Sequence, residues 1–400
     1  MMHHLHRALL VLTLGALSFG CAGGARQAAE VSVKDALSYA HDRHLENART
    51  HDPADGSLRR VIDGQWETTR PQGWTSGFFP GILWMLYDYS GDQAMLEQAR
   101  RWTDPLEVLR TYTGNHDLGF MVYNPFGHGY RLTGDEAYHA VILDAANALA
   151  SRYNPDVGVI RSWDHGDWTY PVIIDNMMNL ELLFWAAENG GDASLYDLAV
   201  SHALRSRQEH VRPDGSTFHV IDFDPATGEV VGRETHQGYA DESTWARGQA
   251  WAIYGFTMTY RETEDFRFLE TAERLADWFV ANLPEDHVPY WDFDAPDKEN
   301  APRDASAAAI AASGLLELSN YATEAGKQDR YRNTAANILR ALSSPRYLTR
   351  GTDNPAVLLH SVGNLPGDSE VDIPIIYADY YFIEALLRMM GRYAAPLASS

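Results

Sequence analysis

Ile173-Ile174-Asp175-Asn176-Met177-Met178-Asn179-Leu180-Glu181-Leu182-Leu183-Phe184-Trp185 opens with a carboxylate and two amides and runs on into a largely apolar helix. Asp175 and Asn179 are four residues apart and share one helical face. The same succession, a polar-aromatic cluster followed by an apolar helix, recurs near Trp74, Asp117, Gln237, Asp304 and Asp372. Six such units, at intervals of roughly 45–70 residues, are what stacked helical hairpins of uneven length would give, with their loops gathered at one end. About 60 residues per unit accommodates two helices of ~12–15 residues and their loops.

The texture elsewhere agrees. Apolar residues recur at three- and four-residue spacing, as in Ile82-Leu83-Trp84-Met85-Leu86-Tyr87. Turn signals interrupt at Ser90-Gly91-Asp92, Thr133-Gly134-Asp135, Asn189-Gly190-Gly191-Asp192 and Pro213-Asp214-Gly215. Strand-like alternation is scarce. Its best instance is Thr217–Phe223, expected to form a short hairpin with the turn Asp224–Gly228. The expected fold is all-α, a single (α/α)6 barrel of six hairpins over residues 36–392, followed by a tail at 393–400. No linker-like stretch interrupts it.

Composition narrows the partners. The formal net charge is -23 and the pI about 5.0. A chain this acidic repels nucleic-acid phosphates and anionic membrane surfaces, so neither is expected as a partner. An acidic substrate would need a local cation. Hydrophobic residues make up 45% of the chain, enough for a large core.

The start reads as an export signal. Arg7 and three histidines precede the run Ala8–Leu17, which is too short to span a bilayer. Cys21, the only cysteine, follows at the place of a lipobox. Residues 1–21 are expected to be signal peptide and lipobox, with Cys21 lipidated, and residues 22–35 a small, polar tether. An ordinary cleaved signal with an incidental Cys21 is the other reading. The expected location is periplasmic or cell-surface, with membrane contact only through that anchor. A lone cysteine allows no disulfide within the chain, so burial supplies the stability.

Several clusters could carry chemistry. Asp117, in His116-Asp117-Leu118-Gly119-Phe120, fits a helix N-cap as well as a catalytic carboxylate. Asp175 fits a cap too, but an apolar wrap would raise its pKa as a general acid requires. A nearby Asp117 would raise it further. Arg247 lies between Trp245 and Trp251, where a carboxylate clamp over a stacking platform competes with a plain surface arginine. Trp74, in Trp74–Gly81, suits either the core or a sugar platform. His219 and His236 have no metal-ligand spacing to another residue. Asp164-His165-Gly166-Asp167 reads as a turn held by hydrogen bonds rather than a ligand set. No metal and no cofactor are expected, and there is no P-loop, GxGxxG or GxSxG.

Taken together, the segments Trp74–Gly81, His116–Phe120, Asp175–Asn179, Arg247–Trp251, Arg303–Leu318 and Ile375–Arg388 resemble the unsaturated glucuronyl hydrolases of glycoside hydrolase family 88. The resemblance covers about residues 36–392. It implies an (α/α)6 barrel that removes a 4,5-unsaturated uronic acid from the nonreducing end of oligosaccharides left by a polysaccharide lyase. It further implies Asp175 as general acid/base, Asp117 as the second essential carboxylate, and Trp74, His219, Gln237, Arg247 and Trp251 as substrate contacts. The implied reaction is hydration of an enol ether, not attack at the anomeric carbon. The substrate would be an unsaturated uronyl oligosaccharide from a glycosaminoglycan or from ulvan, and an upstream lyase would supply it. A polysaccharide lyase on the same toroid would instead need a Tyr/His base pair. A non-catalytic glycan-binding lipoprotein would leave the two acids without a task.

Overall fold

Twelve α-helices are described, and most of the turns between them follow from local sequence. A computed structural model describes residues 18–393, with side chains described from Val33 onward. The helices are α1 Ser18–Thr50, α2 Phe78–Ser90, α3 Gln93–Thr103, α4 His128–Thr133, α5 Glu136–Ala150, α6 Leu180–Glu188, α7 Ser194–Glu209, α8 Ala246–Thr263, α9 Phe266–Asn282, α10 Ala305–Tyr321, α11 Ala325–Leu342 and α12 Ile376–Met389. A π-helical stretch, Gly119–Gly127, runs into α4, and a 3-10 stretch, Ile174–Asn179, runs into α6.

Gly91 (φ 70°) ends α2 in the left-handed region, and the side chain of Asp92 then caps α3. Gly134 (φ 65°) and Asp135 repeat the device between α4 and α5. Glu264 (φ 53°) and Asp265 do the same between α8 and α9. These tight turns all join an inner helix to the outer helix after it. The return connections are long. All six expected clusters therefore fall at the opposite end of the molecule, on or beside the long loops.

The inner helices form a closed ring. Around it run α2, the Gly119–Gly127 stretch with α4, the Ile174–Asn179 stretch with α6, then α8, α10 and α12, which packs back on α2. Outside them α3, α5, α7, α9 and α11 each pack on the inner helix before them, and α1 packs on α12. The first and last helices thus form the sixth hairpin, and the (α/α)6 expectation holds. The inner helices α8, α10 and α12 are buried on nearly every side. In α10 every residue from Ala305 to Ser319 is buried, and its Ala, Ser and Gly residues let α8 and α12 approach closely.

The hairpin expected near Thr217 forms as β6 Val220–Phe223 with β7 Val230–Glu234. Asp224 Oδ1 accepts from the amides of Ala226 and Thr227 in its turn. A third strand joins it, β5 Pro171–Ile173, whose three residues are too few to show a period in the sequence. Two further hairpins, β1 Ser57–Ile62 with β2 Gln65–Thr69 and β3 Tyr153–Asn154 with β4 Val159–Ile160, form beyond those expected from the sequence.

Two boundaries need correction. The residues read as a tether, 22–35, lie inside α1, as a run rich in alanine favours. Residues 393–400 were read as a tail, yet Tyr393 packs on His128 at 6.0 Å and on Arg388 at 4.4 Å. Residues 1–17 of the expected leader lie outside the described residues. Cys21 lies within α1, with its side chain outside them. Among the described residues no helix is long and apolar enough to cross a membrane.

Candidate active site

The β5–β6–β7 sheet assembles the site. Ile173 pairs with Val220, and the Ile174 amide donates to the His219 carbonyl at 3.1 Å. Asp175 and His219 therefore leave the same sheet edge together. Val220 pairs with Glu234, so β7 delivers Thr235, His236 and Gln237 to that edge as well. Strand pairing, invisible in one segment alone, is what unites residues forty-odd and sixty-odd positions apart.

Asp175 lies in the 3-10 turn and makes no capping bond. Its side chain is 12% exposed. Burial pushes its pKa up to about 7, while the Arg247 charge and the nearby Trp251 indole pull the other way. Asp117 also caps nothing; its carbonyl accepts from the Met121 amide at 2.9 Å. Burial, and then the charge of Asp175, push its pKa up to about 8, against Arg152 and Asn179. Repulsion between two carboxylates is mutual, so the first proton lost belongs to the pair. Either way the site holds protons on carboxylates near neutral pH.

Asn179 ties the Asp117 segment to the 3-10 stretch that carries Asp175. Its Oδ1 accepts from the Phe120 amide at 3.2 Å, and its side chain reaches Asp117. Gly119 is required here, since a Cβ would meet Asn179 Oδ1 at 2.6 Å and Cα at 2.7 Å. That explains the glycine in His116–Phe120.

His219 is buried, and burial holds its imidazole neutral. The amides of His236 (3.1 Å) and Gln237 (3.3 Å) donate to its Nδ1. Nδ1 is thus the acceptor, and the ring proton sits on Nε2, 3.9 Å from Asp175 Oδ2. The Trp245 ring packs on the imidazole at 4.4 Å, tilted by 35°.

Aromatic side chains form the rest of the cup. Trp74 lies 4.9 Å from Tyr377 and 5.8 Å from Phe120, and Phe120 lies 5.3 Å from Trp251. Trp74 is half-buried, and Trp251 is fully buried.

Arg247 is 1% exposed and already engaged. Its Nη1 donates to the Val362 carbonyl and to Asp304 Oδ2 at 3.3 Å, and its Nη2 to the Gly363 carbonyl at 2.6 Å. Trp245 (4.3 Å) and Tyr377 (5.3 Å) flank the guanidinium, rather than the expected pair Trp245 and Trp251. Gln237 Nε2 donates to the same Gly363 carbonyl at 2.9 Å. Gln249, on the face shared with Trp245 in sequence, turns away to the carbonyls of Gly215 and Leu275.

All seven expected site residues thus lie in one connected cluster. Three partners are not evident from the sequence. His116, held neutral by burial, lies 3.4 Å from Asp117 and was visible only as its neighbour. Asp304 lies in one of the six clusters, but nothing in the sequence pairs it with Arg247. Tyr377 has no signal beyond being aromatic, whereas Trp245 lies where the sequence sets it, beside Arg247. In the Asp164–Asp167 loop, Asp164 is held by Arg152 and Arg161, and His165 stacks on Trp163 at 5.2 Å.

Two proton-holding carboxylates in an aromatic cup, at the loop end of a six-hairpin toroid, are the equipment of a glycoside hydrolase. Residues 46–344 match the profile of Glycosyl Hydrolase Family 88, and the chain belongs to that family. It is 48% identical over 321 residues to an unsaturated glucuronyl hydrolase of Formosa agariphila, covering 79% of each chain. A solved unsaturated glucuronyl hydrolase described as specific for heparin superposes with a TM-score of 0.87 at 43% identity, covering 90% of this chain and 98% of the other. A variant unsaturated glucuronyl hydrolase solved with dGlcA-Glc-Rha-Glc superposes at a TM-score of 0.83 and 35% identity, covering 90% and 96%.

Proposed function

We propose that this glycoside hydrolase removes a 4,5-unsaturated uronic acid from the nonreducing end of an oligosaccharide, with Asp175 as general acid/base. The observation that carries this is the placement of Asp175, nearly buried, 3.9 Å from His219 Nε2 and near enough to Asp117 for the two charges to repel, where burial pushes its carboxyl up to about 7. A general acid must be protonated to start and basic afterwards, and a pKa near working pH serves both. Asp175 gives its proton to C4 of the enol ether. Water adds at C5, and its proton returns to Asp175. The hemiketal formed at C5 then opens, the glycosidic bond breaks, and the remaining sugar leaves with its hydroxyl. The anomeric carbon is never attacked, so the separation of the carboxylates does not set the stereochemistry.

Asp117 keeps the shared proton on the pair and orients the ring. Nε2–H of His219 is a fixed donor beside Asp175. Trp74 and Trp251 frame the ring, and Gln237 and Arg247 line the side toward the Val362–Gly363 carbonyls. Incubation with a lyase-made unsaturated disaccharide tests the reading. The hydrolase erases the conjugated absorbance of the double bond, whereas no change in absorbance refutes it.

The substrate's double bond is itself the product of β-elimination, so a polysaccharide lyase acts upstream. Glycosaminoglycan and ulvan fragments are the two candidate sources, and a panel of unsaturated di- and tetrasaccharides decides between them. We further propose export and lipidation at Cys21, on the strength of the leader sequence. Radiolabelled palmitate incorporated by the wild type and lost in Cys21→Ser supports the anchor, and no incorporation refutes it.

A further inference from the structure

Two residues of the cup, Arg247 on α8 and Gln237 after β7, hang from one carbonyl, that of Gly363. They belong to separate elements, so whatever fixes Gly363 fixes them relative to each other. The Gly363 amide donates to the carbonyl of Glu370 at 2.7 Å, across a hairpin closed by the Ser361–Ile373 and Asn364–Ser369 bridges. The side chain of Glu370 packs against Gly363, where an added Cβ would meet the Glu370 Cβ at 2.6 Å. The Glu370 carboxylate is 6% exposed and binds Arg59 Nε of β1 at 2.7 Å, with Arg60 at 3.6 Å.

The Glu370 backbone is in the left-handed region (φ 58°), as are those of Asp368 (φ 48°) and Asp372 (φ 56°). Non-glycine residues there persist only when their surroundings hold them. At Glu370 the holding contact is the ion pair to β1. We propose that Glu370 is a positioning residue: by clamping the 361–373 hairpin to Arg59, it sets the Gly363 carbonyl and so pre-organises Arg247 and Gln237 for the uronyl substrate. The proposal rests on the hydrolase reading above. Glu370 touches no reacting atom; its effect on substrate passes through Gly363. Pre-organisation of this kind lowers the cost of binding rather than the barrier of the chemical step.

The test is steady-state turnover of an unsaturated disaccharide by the full chain. Glu370→Gln is expected to raise KM about ten-fold with kcat within about two-fold and the pH profile unmoved. Arg59→Gln, which breaks the same pair from the other side, is expected to move KM in the same direction. Glu370→Asp is expected to recover part of the loss. Unchanged KM in both Glu370→Gln and Arg59→Gln, or a loss confined to thermal stability, overturns the proposal. Quenching of tryptophan fluorescence by the same disaccharide, titrated in the Asp175→Asn background, separates the two readings. If the wild type shows no turnover, the reaction is misassigned. Weaker binding on adding Glu370→Gln then still supports the clamp, and equal binding overturns it.

Discussion

His219 Nε2 lies 3.9 Å from Asp175 Oδ2, and two backbone amides on Nδ1 fix which nitrogen carries the proton. The imidazole is a neutral donor beside the acid, not a base or a cation. Its position follows from the pairing of β5 with β6 and is held by the Trp245 ring.

Nitrogen NMR of the imidazoles checks this relationship. His219 is expected to show a protonated Nε2 and an unprotonated Nδ1, unchanged through the range in which a free imidazole titrates, because burial depresses its pKa well below the ordinary range. A ring that titrates near pH 6.5, or one protonated on Nδ1, would remove it as a fixed donor.

Asp117→Asn is expected to disable the enzyme and to shift the pH optimum of any residual activity downward, since losing a neighbouring negative charge lowers the pKa of Asp175. The same change should stabilise the fold in base. The folded pKa of Asp117 is raised from 3.8 to about 8, so the folded state holds its proton more tightly. The resulting stability is present at low pH and is lost as pH rises through that window. Thermal melts should therefore show Asp117→Asn a few degrees above wild type at about pH 8.5 and level with it only near pH 3.8, where the unfolded chain holds the proton too. Equal melting at both pH values would contradict the buried-acid account.

Arg247→Ala should act mainly on KM, because a uronate is charged in ground and transition states alike. It also leaves Asp304 buried without its partner, which typically costs about 3–5 kcal/mol, so the melting temperature falls as well. Arg247→Lys keeps a charge near Asp304 but cannot hold both carbonyls. It should fold and still show a raised KM. An unchanged KM in Arg247→Lys would place the carboxylate elsewhere.

Chelation should leave activity unchanged, because Asp164 is committed to Arg152 and Arg161. Reversible loss in EDTA, restored by a divalent cation, would reopen the Asp164–Asp167 loop as a ligand set.

The toroid was legible because its signal is periodic and repeated. Six polar clusters each lead into an apolar helix, and Gly91-Asp92 and Gly134-Asp135 mark the turns. Asp117 and Asp175 were legible as acids in apolar surroundings. What the sequence hid was pairing at a distance. Nothing near Arg247 announces the carbonyls of residues 362 and 363, and nothing near His219 announces the amides that fix its tautomer. The three-residue β5 is too short to carry a period, yet it brings Asp175 to His219. Residues 22–35 misled because small residues suit a tether and a helix equally.

The central claim, that Asp175 supplies the proton to the double bond, is tested most directly by Asp175→Asn assayed for loss of the conjugated absorbance of an unsaturated disaccharide, with circular dichroism to confirm the fold. The amide is nearly isosteric but cannot donate that proton. The account predicts at least a ~10²-fold loss of turnover in a folded protein that still binds the disaccharide. Near-wild-type turnover in folded Asp175→Asn would contradict it.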